Sequence, residues 1–193
     1  HEIAKTREVV SETQLGQIRL QWWREAIESV YEEGDVPEHE VMAPLANVIR
    51  TYNLPRDEFD ALIYAREFDL EDVLPSNLTG MINYADYTTA PLFRLVVRIM
   101  GDDPDMEPVH PVAVNYALAG LLRAVRFHAQ QRRCYLPQDL MTQNKVSVNR
   151  LYEIKPSPDL PDVIRAVCDQ ITRAVKPENR FLSGAQILAE IYK

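Results

Sequence analysis

Basic residues are in short supply in this chain: 21 lysines and arginines face 29 acids, for a net charge of −8. A protein that holds nucleic acid in bulk needs a basic footprint to displace phosphate counterions, so that class is set aside and only local basic patches remain. Cysteine is scarce as well. Cys134 and Cys168 are the only 2, with neither metal-type spacing nor the number for a disulfide framework, which suits a reducing compartment. No uninterrupted apolar run approaches the roughly 20 residues of a membrane-spanning helix. No signal peptide, period-2 strand pattern, internal repeat or low-complexity tract is found.

The 193 residues have the size of one domain, able to bury roughly 70% of the unfolded chain's surface. A hydrophobic share of 46% and a charged share of 26% are those of a folded protein. The opening HEIAKTREVV reads as the inside of a helix, so a native start further upstream is expected, with any targeting segment lying there. KPENR at 176–180 joins two helical patterns so abruptly that residues missing from that join are also an expectation.

Helical spacing runs through the chain. In QLGQIRLQWWREAIESVYEEG, two sets (Leu15, Ile18, Trp22 and Leu20, Trp23, Ile27, Val30) recur at steps of three and four, opposite Arg24, Glu25 and Glu28. Gly34 and Pro37 stop that helix. Further helices are predicted over 41–52, over DEFDALIYAREFDL, and from Leu78 to Met100 with Pro91 as a kink. VAVNYALAGLLRAV, apolar nearly all round apart from Asn115 and Arg123, is predicted to lie in the middle of a bundle. DVIRAVCDQITRAV and LSGAQILAEIYK close the chain. The expectation is a single all-α domain over 1–193.

Order and spacing along the chain resemble the squalene/phytoene synthase family. The residues that carry the likeness are LQWWREAIESVY at 20–31, HEVMAPLANVIRTYNLP at 39–55, AREFDL at 65–70, INYADYTTAPLFRLVVRIMG at 82–101 and LAGLLRAVRFHAQQRRCYLPQDL at 118–140. The resemblance implies an isoprenoid-synthase-type helical bundle around a central cavity. It also implies magnesium chemistry, because two helices facing that cavity each carry a DxxxD-type motif in the family. Acids at i and i+4 share one helix face and can share one cation. Magnesium takes oxygen ligands, bridges them to a substrate diphosphate and stabilises that leaving group as it departs.

Carried over by position, the second motif falls on Ala124 and His128 after Arg123, and the first on AKTRE at 4–8. Ala4 and Ala124 offer no ligand, and the His128 imidazole suits zinc, copper or iron better than magnesium. Only Glu8 keeps a carboxylate. Glu2 lies on another helix face, and Asp69 and Asp72 belong to another helix. The resulting expectation is that no metal is held, and with it no cofactor. Basic side chains stand around both motifs: Lys5 and Arg7 at the first, Arg123, Arg126, Arg132 and Arg133 at the second. An arginine fork can bind phosphate without a cation, so Lys5, Arg7, Arg123 and Arg133 are candidates for holding an anionic head group. The plainer alternative makes Arg126 and Arg132 solvated charge and Arg123 and Arg133 partners of framework acids.

Tyr84 and Tyr135 are candidate pocket-lining residues beside the second motif, with core packing as the alternative. Adjacent helical residues point about 100° apart, so one of Trp22 and Trp23 is expected in the core and the other partly exposed. No role is assigned to His39 or His110, and no nucleophilic role to Cys134. The helix over 15–31 carries Glu25, Glu28, Glu32 and Glu33, so anionic lipid is not expected to attract it strongly.

One branch of the family, resembling respiratory complex I assembly factors, lacks these acids while keeping the frame seen at Glu2–Arg7, Val10–Glu12, Gln21–Arg24 and Arg123–His128. That likeness implies a non-catalytic assembly or scaffold protein with complex I subunits as partners and a prenyl or lipid ligand. It implies the bacterial cytoplasm, or the matrix side of the mitochondrial inner membrane, with peripheral membrane contact. The alternative is an active magnesium-dependent head-to-head prenyl transferase acting on farnesyl or geranylgeranyl diphosphate.

Overall fold

The computed structural model describes residues 1–32, 34–105, 107–171 and 176–192, and every regular element among them is a helix. The chain divides into two compact units, His1–Glu71 with Pro91–Pro104, and Asp72–Ala90 with Asp105–Lys193.

In the first unit, α1 (Thr6–Val9) and α2 (Thr13–Tyr31) are followed by α3 (Met42–Tyr52), α4 (Arg56–Ala65) and a 3-10 turn, Phe68–Leu70. The α2 helix packs against α1, α3 and α4. Its buried face is Leu20, Trp23, Ile27 and Val30, set against Met42, Ile49, Phe59 and Ile63. Each such side chain contributes about 1.5–3 kcal/mol by leaving water. The other apolar set behaves differently from expectation: Leu15 is 48% and Ile18 60% exposed. Trp23 is core and Trp22 half-buried, as the adjacent-residue geometry requires. Gly16 meets Leu70 closely enough that a Cβ there would stand 2.5 Å from its Cδ2, and Thr13 Oγ1 donates to the Leu70 carbonyl at 3.1 Å.

Two expected helices are shorter than their spacing suggests. The opening helix is confined to Thr6–Val9, with Ala4 and Lys5 in the turn before it and Val10 extended after it. Two consecutive β-branched valines favour that extended exit. The run over 57–70 breaks after Ala65, where Arg66 ion-pairs with Asp69 at 3.0 Å across the last turn.

The helix α5 (Leu78–Ile99) continues through Pro91, the residue at which the two units divide. In the second unit follow α6 (Val109–Arg123), α7 (Val125–Gln130), α8 (Gln138–Gln143), α9 (Val148–Tyr152), α10 (Leu160–Cys168) and α11 (Arg180–Tyr192). The principal pairing is α6 with α11. Asn115 Nδ2 donates to Gln186 Oε1 across it at 3.0 Å, so the one amide in the apolar run has a buried polar partner. The α6 helix is not buried all round: Tyr116, Gly120 and Arg123, at steps of four and three, form an exposed stripe. The predicted helix over 162–175 ends at Cys168, and residues 172–175 lie outside the described ones. Asn179 opens α11 as its cap, its Oδ1 accepting from the Phe181 and Leu182 amides, which replaces partners a helix start lacks.

Candidate functional site

Sequence reasoning placed the second motif on one helix, yet the chain bends out of helical geometry between α6 and α7, at Ala124 with φ −88° and ψ 2°. The four-residue relation survives the break, because the His128 amide donates to the Ala124 carbonyl at 2.8 Å. One turn on, Arg132 takes φ 56°, a left-handed conformation that non-glycine residues adopt at some cost. The Arg133 amide then returns to the His128 carbonyl at 2.9 Å. This closing turn carries Cys134 and Tyr135 back across α7.

There the rings assemble. His128 meets Tyr135 edge-on with centroids 4.8 Å apart, and Tyr135 stacks on Tyr84 of α5 at 5.0 Å and 25° between planes. Edge-to-face and offset-stacked arrangements are those that aromatic quadrupoles favour. His128, Arg133 and Tyr135 line one small cavity with Met81, Leu121 and Leu136. Its volume of about 10 Å³ is at the lower limit for a single water molecule. In that cavity the side chains beside His128 leave room for one water molecule at most.

Arg123 does not join this group. Its guanidinium lies 3.7 Å above the Tyr192 ring, at the end of α11, a cation–π contact. Arg132 sits over Tyr152 at 5.4 Å. Cys134 is packed with its Sγ 3.7 Å from Met141 Sδ, and burial pushes its thiol up to about 11, away from the thiolate that a nucleophile needs.

The first-motif positions belong to the first unit. Ala4 and Lys5 precede α1, Lys5 Nζ stands 4.0 Å from Glu2, and Arg19 takes the other Glu2 oxygen at 3.1 Å. Arg7 is half-buried and Glu8 exposed, while Thr6 just before them is buried with an unpartnered Oγ1. As donors, Ala4, Glu8, Ala124 and His128 supply one carboxylate and one imidazole. A lone carboxylate in the first unit and a lone imidazole in the second each fall short of the several oxygens that magnesium takes in an octahedron. Among the described residues no group of three or more His, Cys, Asp or Glu side chains could hold a metal ion.

Sequence reasoning passed over His39. Its ring centroid is 5.2 Å from those of both Trp22 and Trp23, and its Nδ1 accepts the Val41 amide at 3.1 Å. It closes the turn before α3 and packs the tryptophan pair. An imidazole beside a proline two positions back gave no periodic signal to find it by. His110 lies 3.4 Å from Asp86, joining the start of α6 to α5.

Helices without strands among the described residues, with this order and packing, are an isoprenoid-synthase-type fold. The structure superposes on the squalene synthase HpnC from Alicyclobacillus acidocaldarius with a TM-score of 0.72 at 16% identity, covering 98% of this chain and 76% of that one. The chain belongs to the squalene/phytoene synthase family, whose pattern it matches over residues 1–178.

Among curated relatives, a bovine (Bos taurus) protein named NADH dehydrogenase (ubiquinone) complex I, assembly factor 6, is 28% identical over 184 residues, 93% of this chain and 54% of that protein. Presqualene diphosphate synthase of Rhodopseudomonas palustris is 27% identical over 147 residues, 75% of this chain and 52% of that enzyme. The chain thus spans about half the length of the curated relatives it matches.

Proposed function

We propose that this protein is a non-catalytic member of its family that serves as an assembly or scaffold protein for respiratory complex I. The observation that carries the reading is the ring cluster at the second motif. Where a metal-binding acid is expected, His128 packs on Tyr135 with Arg133 beside it. Likeness to complex I assembly factor 6 over 93% of the chain supports the same conclusion. On this reading Ala4, Glu8, Ala124 and His128 are the family's four metal-motif positions with their chemistry lost. In the second unit Arg123 and Arg133 supply positive charge for an anionic prenyl or lipid head group, and the Tyr84–Tyr135 stack must open to admit its apolar part; Lys5 and Arg7 supply positive charge in the first unit. Arg123 must leave Tyr192 to take part. The protein works beside complex I, in a bacterial cytoplasm or on the matrix side of the inner membrane, in peripheral contact with the bilayer. No helix among the described residues is long and apolar enough to cross it.

The test is direct. Purified protein incubated with farnesyl or geranylgeranyl diphosphate and magnesium is expected to release no pyrophosphate and form no hydrocarbon. Squalene, phytoene or presqualene diphosphate in the extract would establish the transferase reading instead. Affinity capture from cells is expected to recover complex I subunits, and the scaffold reading fails if capture returns none while the chain is intact.

A further inference from the structure

The first unit carries a feature that none of the motif positions touches: an open groove of about 640 Å³ along the exposed side of α2. Its apolar parts are Ile18 and Trp22, one turn apart on α2, and Leu70 at the base of the 3-10 turn. Ile18 is 60% exposed, beside the half-buried Trp22. The polar lining is acidic. Glu25, Glu67 and Glu71 stand against a single cation, Arg24. That guanidinium is already engaged, by Glu67 at 2.9 Å and by the Gln21 amide oxygen at 2.8 Å.

We propose that this groove is a docking site for a basic amphipathic helix of a partner protein. Three properties select that occupant. The anchors Ile18 and Trp22 recur at helical spacing, which a facing helix matches with its own i, i+3, i+4 residues. The rim has an excess of two negative charges once Arg24 is set against the three carboxylates, so a Lys or Arg on the incoming helix meets complementary charge. Most of the lining residues are exposed, which makes the site a trough along α2 and suits a segment lying lengthwise. Aliphatic side chains of the partner rest on Ile18 and Trp22, while its cations reach Glu25 and Glu71. The proposal does not depend on the complex I reading, since the groove and the head-group positions share no residue.

A fluorescein-labelled Leu/Lys peptide of about 18 residues, long enough to be helical when bound, is titrated with the full chain while anisotropy is followed. The expected result is saturable binding that weakens with salt and falls about tenfold or more in Glu25→Lys/Glu71→Lys and in Ile18→Ser. A control reversal at the exposed Glu40, outside the groove, leaves it unchanged. Equal loss with Glu40→Lys would reveal attraction to net charge alone and overturn the proposal. So would equal binding of a Leu/Gln peptide, or displacement by spermidine as effective as by unlabelled peptide, which assigns the groove to a small cation. A dimer in sedimentation that Ile18→Ser dissolves would give the groove to a second copy and likewise overturn it.

Discussion

A thiol held among apolar neighbours loses the hydration that would stabilise its anion, and Cys134 is in that position, raised from 9.0 to about 11. The linkage has a definite sign: because the folded pKa is the higher one, the neutral thiol's contribution is complete below about pH 9 and is lost as pH rises towards about 11. Urea midpoints measured across that window are expected to fall more for the native chain than for Cys134→Val. Tyr31, pushed up to about 12 chiefly by burial, adds a later loss common to both. Iodoacetamide at pH 8 is expected to leave Cys134 unlabelled in the folded chain and to label it in urea, read by peptide mass spectrometry. Rapid labelling when folded would contradict the packed geometry. His39 shows what is hidden at this scale. Its ring contacts join residues 17 positions and 16 positions away, and neither spacing nor neighbouring residue types encode them.

Helix identity was largely legible, and helix ends were not. The spacing of Leu20, Trp23, Ile27 and Val30 selects α2 and its buried face correctly, because burial of one stripe is the force that forms the helix. The break at Ala124 has no such signature. Alanine is the best helix former, so the interruption reflects how α7 packs and not the local sequence. The opening and 57–70 helices were overextended for a related reason: periodicity persists past the last residue that packing holds in place. Between α6 and α11 the Asn115–Gln186 pair offers a direct measurement. Asn115→Ala leaves a buried amide oxygen without that donor and is expected to cost about 1–3 kcal/mol in chemical denaturation. Asn115→Leu with Gln186→Leu is expected to recover much of it, since both partners are then apolar. If the single and double variants are equally unstable, the pair acts through shape alone.

For the molecule as a whole, the family was legible because five separated segments agree in order, and no single one would have sufficed. The division into two units was not. It falls inside α5 at Pro91, which the sequence marks only as a kink, and depends on contacts far apart along the chain. The ring assembly at the second motif was also beyond reach: Tyr84 and Tyr135 could be named, but their stacking with His128 depends on the left-handed turn at Arg132. Charge acts at this scale too. With a net charge of −8 at pH 7 and a sequence pI near 5.0, the chain repels its copies at neutral pH and loses that repulsion on acidification. Light scattering is expected to show least solubility near pH 5, and a minimum above pH 7 would mean that the surface exposes a different charge balance.

Where α2 crosses the 3-10 turn, a methyl group at position 16 would stand 2.5 Å from the Leu70 side chain. Leu70 is 2% exposed, and the atoms that a Cβ at position 16 would meet are the ends of its side chain, so Gly16→Ala would turn that side chain aside. The smallest chemical edit available to this protein thus reaches the trough beside α2 through Leu70, one of the residues that line it.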